Sequence, residues 1–329
     1  MIFITGGNGL VGSFIIKKFL AEGKKIKALK RKDSDLSLLT EVNHLIEWVE
    51  GDIMDVSLLL KEVKGAELII HAAAIVSYNP KRKEEIFKTN IEGTANIVNA
   101  ALGASVPSFL HISSVASLAS NQALITEESI FIENTARSNY SKSKYYAELE
   151  VYRGKEEGLH VAFLNPSIVL GPGNWDRGSS KIFKYVYEKS TFYTDGKLNF
   201  IDVRDVAEIA YLIAQQIEAV NGEKFILNAG TVPYKTFFEA IATNFKVRSP
   251  FIKAGIVFSR LVWAIEKAKS IFSNAEPLIT SETIHISKNK QVYSNQKLRK
   301  ILNFEFKSLK ETLHWTCQQL IIRQKTHPK

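Results

Sequence analysis

The sequence predicts an α/β fold: a doubly wound parallel sheet with a smaller, mostly helical C-terminal part. Three observations predict it. Apolar runs of four or five residues alternate with segments of helical period through the first half. The first of these runs ends in a glycine-rich turn that opens a helix. From about Thr236 onward the helical period dominates.

The first strand is Met1-Ile2-Phe3-Ile4-Thr5, and Gly6-Gly7-Asn8-Gly9-Leu10-Val11-Gly12 follows at once. Val11, Phe14, Ile15 and Phe19 then recur at helical spacing, and Gly23 closes the helix. Gly7-x-Gly9-x-x-Gly12 has the spacing of a dinucleotide fingerprint. In that pattern the first glycine permits the tight turn. The second lets backbone approach a pyrophosphate, and the third lets helix pack on strand. The helix N-terminus offers its free N–H groups and the positive end of its dipole to the phosphates. The sheet is therefore expected to be Rossmann-type.

Ile26-Lys27-Ala28-Leu29 is the second strand, and Leu45 to Val49 the third, ending in Gly51-Asp52. Ser57 to Val63 is a short helix. Leu68-Ile69-Ile70-His71-Ala72 is apolar enough to be a central parallel strand. A long helix from about Glu84 to Leu102 follows, then a fifth strand, Phe109-Leu110-His111-Ile112, ending in Ser113-Ser114. A helix from about Tyr140 to Glu157 precedes a sixth strand, Val161-Ala162-Phe163-Leu164. Asn165-Pro166-Ser167 and Gly171-Pro172-Gly173 then break the rhythm, and Phe225-Ile226-Leu227 is expected to return to the sheet. Ile256 to Phe272 reads as a lid, a core helix or a membrane-surface helix. The expected division is a dinucleotide-binding part, residues 1–165 with 200–230 rejoining it. A substrate part takes 166–199 and 231–329.

Composition narrows the function classes. The 329 residues are 45% hydrophobic, which allows a sizeable core, and no uncharged apolar run is long enough to span a bilayer. No basic region precedes the opening apolar residues, so no signal peptide is read. A lone cysteine, Cys317, fits a reducing compartment, and a cytoplasmic protein is expected. The seven histidines show no metal-ligand spacing, so no metal is expected. The net charge of +9 has no aromatic-interleaved basic stripe. It reads as a solvated basic surface with a site for an anionic cofactor, not as nucleic-acid binding.

Tyr140-Ser141-Lys142-Ser143-Lys144 puts a tyrosine and a lysine four apart, on one face of a helix. A free phenol titrates near pH 10 and is a poor acid–base catalyst at neutral pH. A nearby ammonium stabilises the phenolate, and the pair then can move a proton at a carbonyl or alcohol oxygen while hydride moves. Ser113-Ser114 ends its strand on the side where the glycine turn ends the first, so a serine hydroxyl is placed to bond the reacting oxygen. Asn90 either holds a water or backbone group near the site or makes a buried helix–helix contact.

Glycine turn, strand-end serine and Tyr-x-x-x-Lys, in this order, resemble the extended short-chain dehydrogenase/reductase family, also called NAD-dependent epimerase/dehydratase. The resemblance runs from Ile2 to about Asn228. Thr5 to Gly12 is similar to the family's TGGxGxxG loop, and Gly51-Asp52 to its adenine-contacting strand end. His71-Ala72-Ala73-Ala74 resembles the small-residue stretch lining the cofactor, and Asn90 to Thr94 the NxxGT helix. Asn165 through Gly173 resembles RPxxVYGPG, with Asn165 in place of arginine, and Ile201 to Ala207 resembles VxVxDVA. The resemblance implies Tyr140 as general acid/base, Lys144 as its partner on the nicotinamide ribose, and Ser114 as the catalytic hydroxyl. It implies cofactor contacts from Gly6, Gly9, Leu10, Val11, Gly12, Arg31, Asp52, Ile53, Ala72, Ala73, Ala74, Asn90, Tyr140, Lys144 and Pro166. It also implies a homodimer built on the Glu84–Leu102 and Tyr140–Glu157 helices.

The second strand leads into Lys30-Arg31-Lys32, where NAD sites usually carry an acidic residue. A basic residue suits a 2′-phosphate, and Arg31 sits like the arginine of dihydroflavonol 4-reductase-like members that use NADP. NADP is favoured; Asp33 and Asp35, just beyond, leave NAD open. For the reaction, the resemblance implies carbonyl reduction or its reverse, as in dihydroflavonol reductase-like or 3β-hydroxysteroid dehydrogenase-like members. The alternatives are a sugar-nucleotide epimerase and a non-enzymatic redox sensor. Val115-Ala116 stands where dehydratases carry Asp-Glu, and Ser117-Leu118-Ala119 where many sugar-nucleotide enzymes carry Tyr-Gly. The partner is a small-molecule substrate. Phe192, Tyr193, Phe200 and the aromatic residues after Phe251 are candidates to line an apolar pocket, and Arg177 or Arg248 to bind a substrate phosphate.

Overall fold

The computed structural model describes residues 1–135, 138–253 and 291–326. In chain order the strands begin β1 (Ile2–Thr5), β2 (Ile26–Lys30), β3 (Ile46–Glu50), β4 (Leu68–His71), β5 (Ser108–Ile112) and β6 (Leu124–Ile125). They continue β7 (His160–Pro166), β8 (Ile168–Leu170), β9 (Phe192–Tyr193), β10 (Lys197–Asp202) and β11 (Glu223–Leu227). The last are β12 (Gly230–Pro233), β13 (Ile252–Lys253) and β14 (Val292–Tyr293). Helices are α1 (Leu10–Ala21), α2 (Val56–Glu62), α3 (Lys83–Phe87), α4 (Gly93–Gly103) and α5 (Asn139–Glu156). After them come α6 (Ser180–Tyr187), α7 (Val203–Ala214), α8 (Tyr234–Phe245), α9 (Gln296–Leu302) and α10 (Leu309–Thr326).

Seven parallel strands form the main sheet in the order β11-β7-β5-β4-β1-β2-β3. Alternate residues of each strand feed opposite faces. Ile2, Ile4, Ile70, Leu110 and Leu164 join α1 and α7 on one side. Phe3, Ile69, Phe109 and Phe163 join α2, α4 and α5 on the other. Because both faces are covered, the strands read as continuous apolar runs instead of alternating ones. Strand order reverses between β1 and β4, and the C-terminal ends of those two strands open the crevice that such sheets use for ligands.

A second apolar cluster lies under a three-stranded sheet, β12-β10-β8, and holds Phe183, Leu198, Phe200, Phe237, Ile241 and Leu313. It draws on α6, α8 and α10, which are far apart in sequence. The region after Thr236 is mostly helical among the described residues, as expected, with the two-residue strands β13 and β14 besides. One expectation is corrected. The Glu84–Leu102 helix is not uniform: Lys88–Glu92 forms a π turn between α3 and α4. The Ile256–Phe272 segment lies outside the described residues. Among those described, no helix is long and apolar enough to cross a membrane.

Candidate active site

The crevice continues into a cleft of about 1810 Å³, well above a pocket for one small ligand. It begins at the glycine turn. Gly6 takes φ +70°, a left-handed conformation that a side chain would strain. The positive φ falls on Gly6, one residue before the first fingerprint glycine. A Cβ at Gly12 would lie 2.2 Å from the Gly6 carbonyl oxygen, so α1 rests directly on the turn. Gly9 caps α1 with extended backbone and no side-chain bond. The N–H groups of the first helical turn, which no helix bonds internally, are thus left for a ligand at the cleft. This cradle suits a pyrophosphate.

Gly6, Gly9, Leu10, Val11, Gly12, Arg31, Asp52, Ile53, Ala72, Ala73, Ala74, Ser114, Tyr140, Lys144 and Pro166 all line the cleft. Asn90 does not. It is 1% exposed on the π turn, and its amide is spent inside the protein. Its Oδ1 accepts from Ile75 N at 2.7 Å, and its Nδ2 donates to Ile75 O at 3.0 Å and to Ser143 Oγ at 2.9 Å. Asn90 therefore pins the 75 backbone to α5 from behind the wall. As a direct cofactor contact it is corrected. Arg248 likewise stays out of the cleft, stacked 3.9 Å over the Phe251 ring, whereas Arg177 lines it.

Tyr140 and Lys144 share the buried face of α5, and Ser114 caps the helical turn that follows β5. Ser114 Oγ accepts from Ala116 N at 3.1 Å, and Ser114 lies close enough to the Tyr140 phenol to pull its pKa down. The Tyr78 ring meets Tyr140 edge-on, with centroids 6.0 Å apart. Lys144 Nζ donates to the Ile112 carbonyl at 2.9 Å. Burial pushes the Tyr140 phenol above its usual range, and Ser114 only partly offsets it. Burial also depresses Lys144, to about 8, against the opposing charge of Glu148. The expected lowering of the tyrosine by the lysine is thus reversed in this state by desolvation.

Two buried networks escaped the sequence reading. His71 Nδ1 meets Thr5 Oγ1 at 2.6 Å and its Nε2 meets Thr94 Oγ1 at 2.9 Å. Since Thr94 Oγ1 donates to Asn90 O at 2.6 Å, it accepts from His71 Nε2–H, which leaves Nδ1 to accept from Thr5. The chain of bonds ties β1, β4 and the π turn together. The second network surrounds Glu148, which is 0% exposed. Spacing did signal it: Tyr140, Lys144 and Glu148 repeat every four residues.

The cleft is also lined by the aromatic residues Tyr78, Tyr185, Phe192, Tyr193, Tyr234, Phe238 and Tyr293. Phe200 is 5% exposed and packs in the core beneath β10. Of the aromatic residues expected after Phe251, Tyr293 lies in the cleft, and those between 254 and 290 lie outside the described residues.

The profile of the NAD dependent epimerase/dehydratase family matches residues 2–230. A Synechocystis protein provisionally named dihydroflavonol 4-reductase is 27% identical over 95% of this chain and 93% of its own. The decarboxylating sterol-4-alpha-carboxylate 3-dehydrogenase of Dictyostelium discoideum is 24% identical over 92% of this chain and 95% of its own. Among solved structures, gox2253 superposes with a TM-score of 0.83 at 27% identity, covering 100% of this chain and 98% of the other. The Streptomyces venezuelae dTDP-glucose 4,6-dehydratase DesIV, solved with NAD, shares the fold at a TM-score of 0.79 and 17% identity. It covers 99% of this chain and 98% of its own. The chain belongs to the NAD dependent epimerase/dehydratase family, the extended short-chain dehydrogenases/reductases, and is an enzyme of that family.

Proposed function

We propose that the protein reduces a carbonyl to an alcohol, or runs the reverse, with NADP as its dinucleotide. The observation that carries this reading is the meeting of Ser114, Tyr140 and Lys144 in one cleft with the glycine turn. When bound, the nicotinamide dinucleotide supplies or accepts the hydride. Tyr140 gives its hydroxyl proton to the carbonyl oxygen in reduction and takes it back in oxidation. Ser114 Oγ orients that hydroxyl and bonds the same oxygen. The Lys144 ammonium balances the phenolate charge that develops.

NADP is supported by what faces the adenosine end. Arg31 and Ser34 line the cleft there, and Ser34 Oγ accepts from Arg31 N at 3.0 Å. Asp33 does not line it. Asp35 does, but its Oδ1 accepts from Ser37 N at 2.9 Å, and Asn174 Nδ2 lies 3.5 Å from its Oδ2. Neither carboxylate is well placed for a ribose diol. The aromatic lining supports an apolar carbonyl substrate. A sugar-nucleotide epimerase is the second reading; Arg177 lines the cleft as its candidate phosphate ligand, but the arginine lies within electrostatic reach of Asp35 at the adenosine end.

Titration with NADPH and NADH, followed by tryptophan quenching, tests the cofactor. Tighter, reversible NADPH binding is expected. Oxidation of NADPH by a panel of aromatic aldehydes and ketones then tests the reaction. Dinucleotide that copurifies and does not exchange would favour the epimerase, and binding of neither would overturn the glycine-turn assignment.

A further inference from the structure

Glu148 sits four residues after Lys144 and eight after Tyr140, on the same face of α5. It is a fully buried carboxylate behind the cleft and does not line it. Its Oε1 accepts from Ser117 Oγ at 2.6 Å, from Asn165 Nδ2 at 2.7 Å and from Ser113 Oγ. Its Oε2 lies 2.6 Å from Lys224 Nζ, which reaches over from β11. Ser117 Oγ and Asn165 Nδ2 also lie 2.8 and 3.2 Å from the Ser114 carbonyl oxygen. The Asn165 amide, with two hydrogens, can bridge the Ser114 carbonyl to the carboxylate, and Ser117, in the same loop, gives its one hydroxyl proton to the carboxylate. Asn165, which stands where the family resemblance expects an arginine, is neutral, and the cation on Glu148 is Lys224 of the neighbouring strand.

The charged and titratable groups around Lys144 are few. Tyr140 and Glu148 share its helix, His71 on β4 and His111 on β5 face it from the sheet, and Lys224 lies beyond on β11. Burial holds His71 down to about 3 and His111 well below its usual value, so both stay neutral. Glu148 is the anion among these groups, and its charge opposes the desolvation of Lys144.

We propose that Glu148, paired with Lys224, is a positioning residue for the reaction. It anchors the Ser114 loop, and its negative charge balances the Lys144 ammonium from behind the cleft. The inference rests on the roles proposed for Ser114, Tyr140 and Lys144, but the lysine titration that tests it needs neither cofactor nor substrate.

The test follows lysine 13Cε resonances against pH in protein carrying 13C-labelled lysine, with Lys144→Met to assign the signal. Wild type is expected to show a midpoint near 8 for Lys144. Glu148→Gln removes the balancing charge, so the midpoint moves down by about one pH unit or more. Glu148→Asp, which keeps the charge, moves it far less. Should Glu148→Gln fail to fold, Glu148→Gln with Lys224→Met removes the buried carboxylate and its half-buried partner at similar volume, so that neither charge is left unpaired. A smaller downward shift is expected there, because the Lys224 cation that repels the Lys144 ammonium leaves together with the carboxylate. A midpoint unmoved in the folded variant overturns the proposal. Turnover measured in parallel separates the two readings: if Tyr140→Phe retains activity, the proposed reaction fails whatever Glu148 does. If Tyr140→Phe is inactive and the lysine midpoint is unmoved, this inference alone fails.

Discussion

The two walls of the cleft are made differently. The wall toward the first half of the main sheet is largely backbone: a glycine turn, a bare helix end, and the small residues Ala72 to Ala74. The opposite wall is side chains, among them Tyr185, Phe192, Tyr234, Phe238 and Tyr293, gathered from segments up to about a hundred residues apart. A backbone wall recognises what all dinucleotides share. A side-chain wall recognises what distinguishes one substrate from another. Between them stands α5, which carries polar groups buried at a cost in stability.

The comparison breaks first at the backbone wall. Gly12→Val should abolish dinucleotide binding in a fluorescence titration, because even a Cβ would meet the Gly6 oxygen at 2.2 Å. Binding retained within a few-fold would mean that α1 can lift off the turn. Tyr140→Phe should cut turnover by roughly 10³-fold, the scale of a lost general acid, while dinucleotide affinity changes less than about twofold. Arg31→Ala should weaken NADPH by about 10- to 100-fold, the worth of a charge-assisted phosphate contact, and leave NADH nearly unchanged. Equal weakening would refute the 2′-phosphate role. Phe238→Ala, on the side-chain wall, should raise KM for an apolar carbonyl by roughly tenfold with NADPH affinity intact. A loss of NADPH affinity there would show that the two walls are not separable.

The smallest effect concerns α5 itself. The Lys144 value near 8 lies below the free lysine value of 10.5. The unfolded chain therefore binds more protons than the folded one, and burying this ammonium opposes folding by roughly 3 kcal/mol at neutral pH. The opposition fades as pH rises from about 8 towards 10.5. Lys144→Met should thus raise the melting temperature by a few degrees at pH 7, and by much less near pH 10, while turnover is lost. In the wild type, turnover should fall as pH rises through about 8, where the ammonium is lost. A melting temperature lowered by Lys144→Met would mean that the bond to Ile112 O outweighs desolvation.

The same contrast explains what was legible beforehand. Parallel strands buried on both faces are written as apolar runs, so β1 to β5, β7 and β11 could be read locally. Fingerprint glycines and an i, i+4 Tyr–Lys pair are likewise local patterns. The π turn was not legible, since a helical period does not announce one added residue. Asn90 was a cofactor contact only by the family resemblance; the residues themselves left it to hold a backbone group or to make a buried helix–helix contact, and it does both. It is the turn of the chain at Lys88–Glu92 that sends its amide to Ile75 and Ser143 instead.

By itself, then, the sequence determined the doubly wound sheet, the glycine turn between the first strand and its helix, and the helix face that bears Tyr140 and Lys144. Each follows from short-range periodicity and backbone sterics. The tertiary structure alone decided that Ser114 reaches Tyr140, that Lys224 faces Glu148 across 76 residues of chain, and that distant aromatic rings share one wall. Such pairings depend on strand order and on desolvation, and neither is encoded in any one stretch of residues.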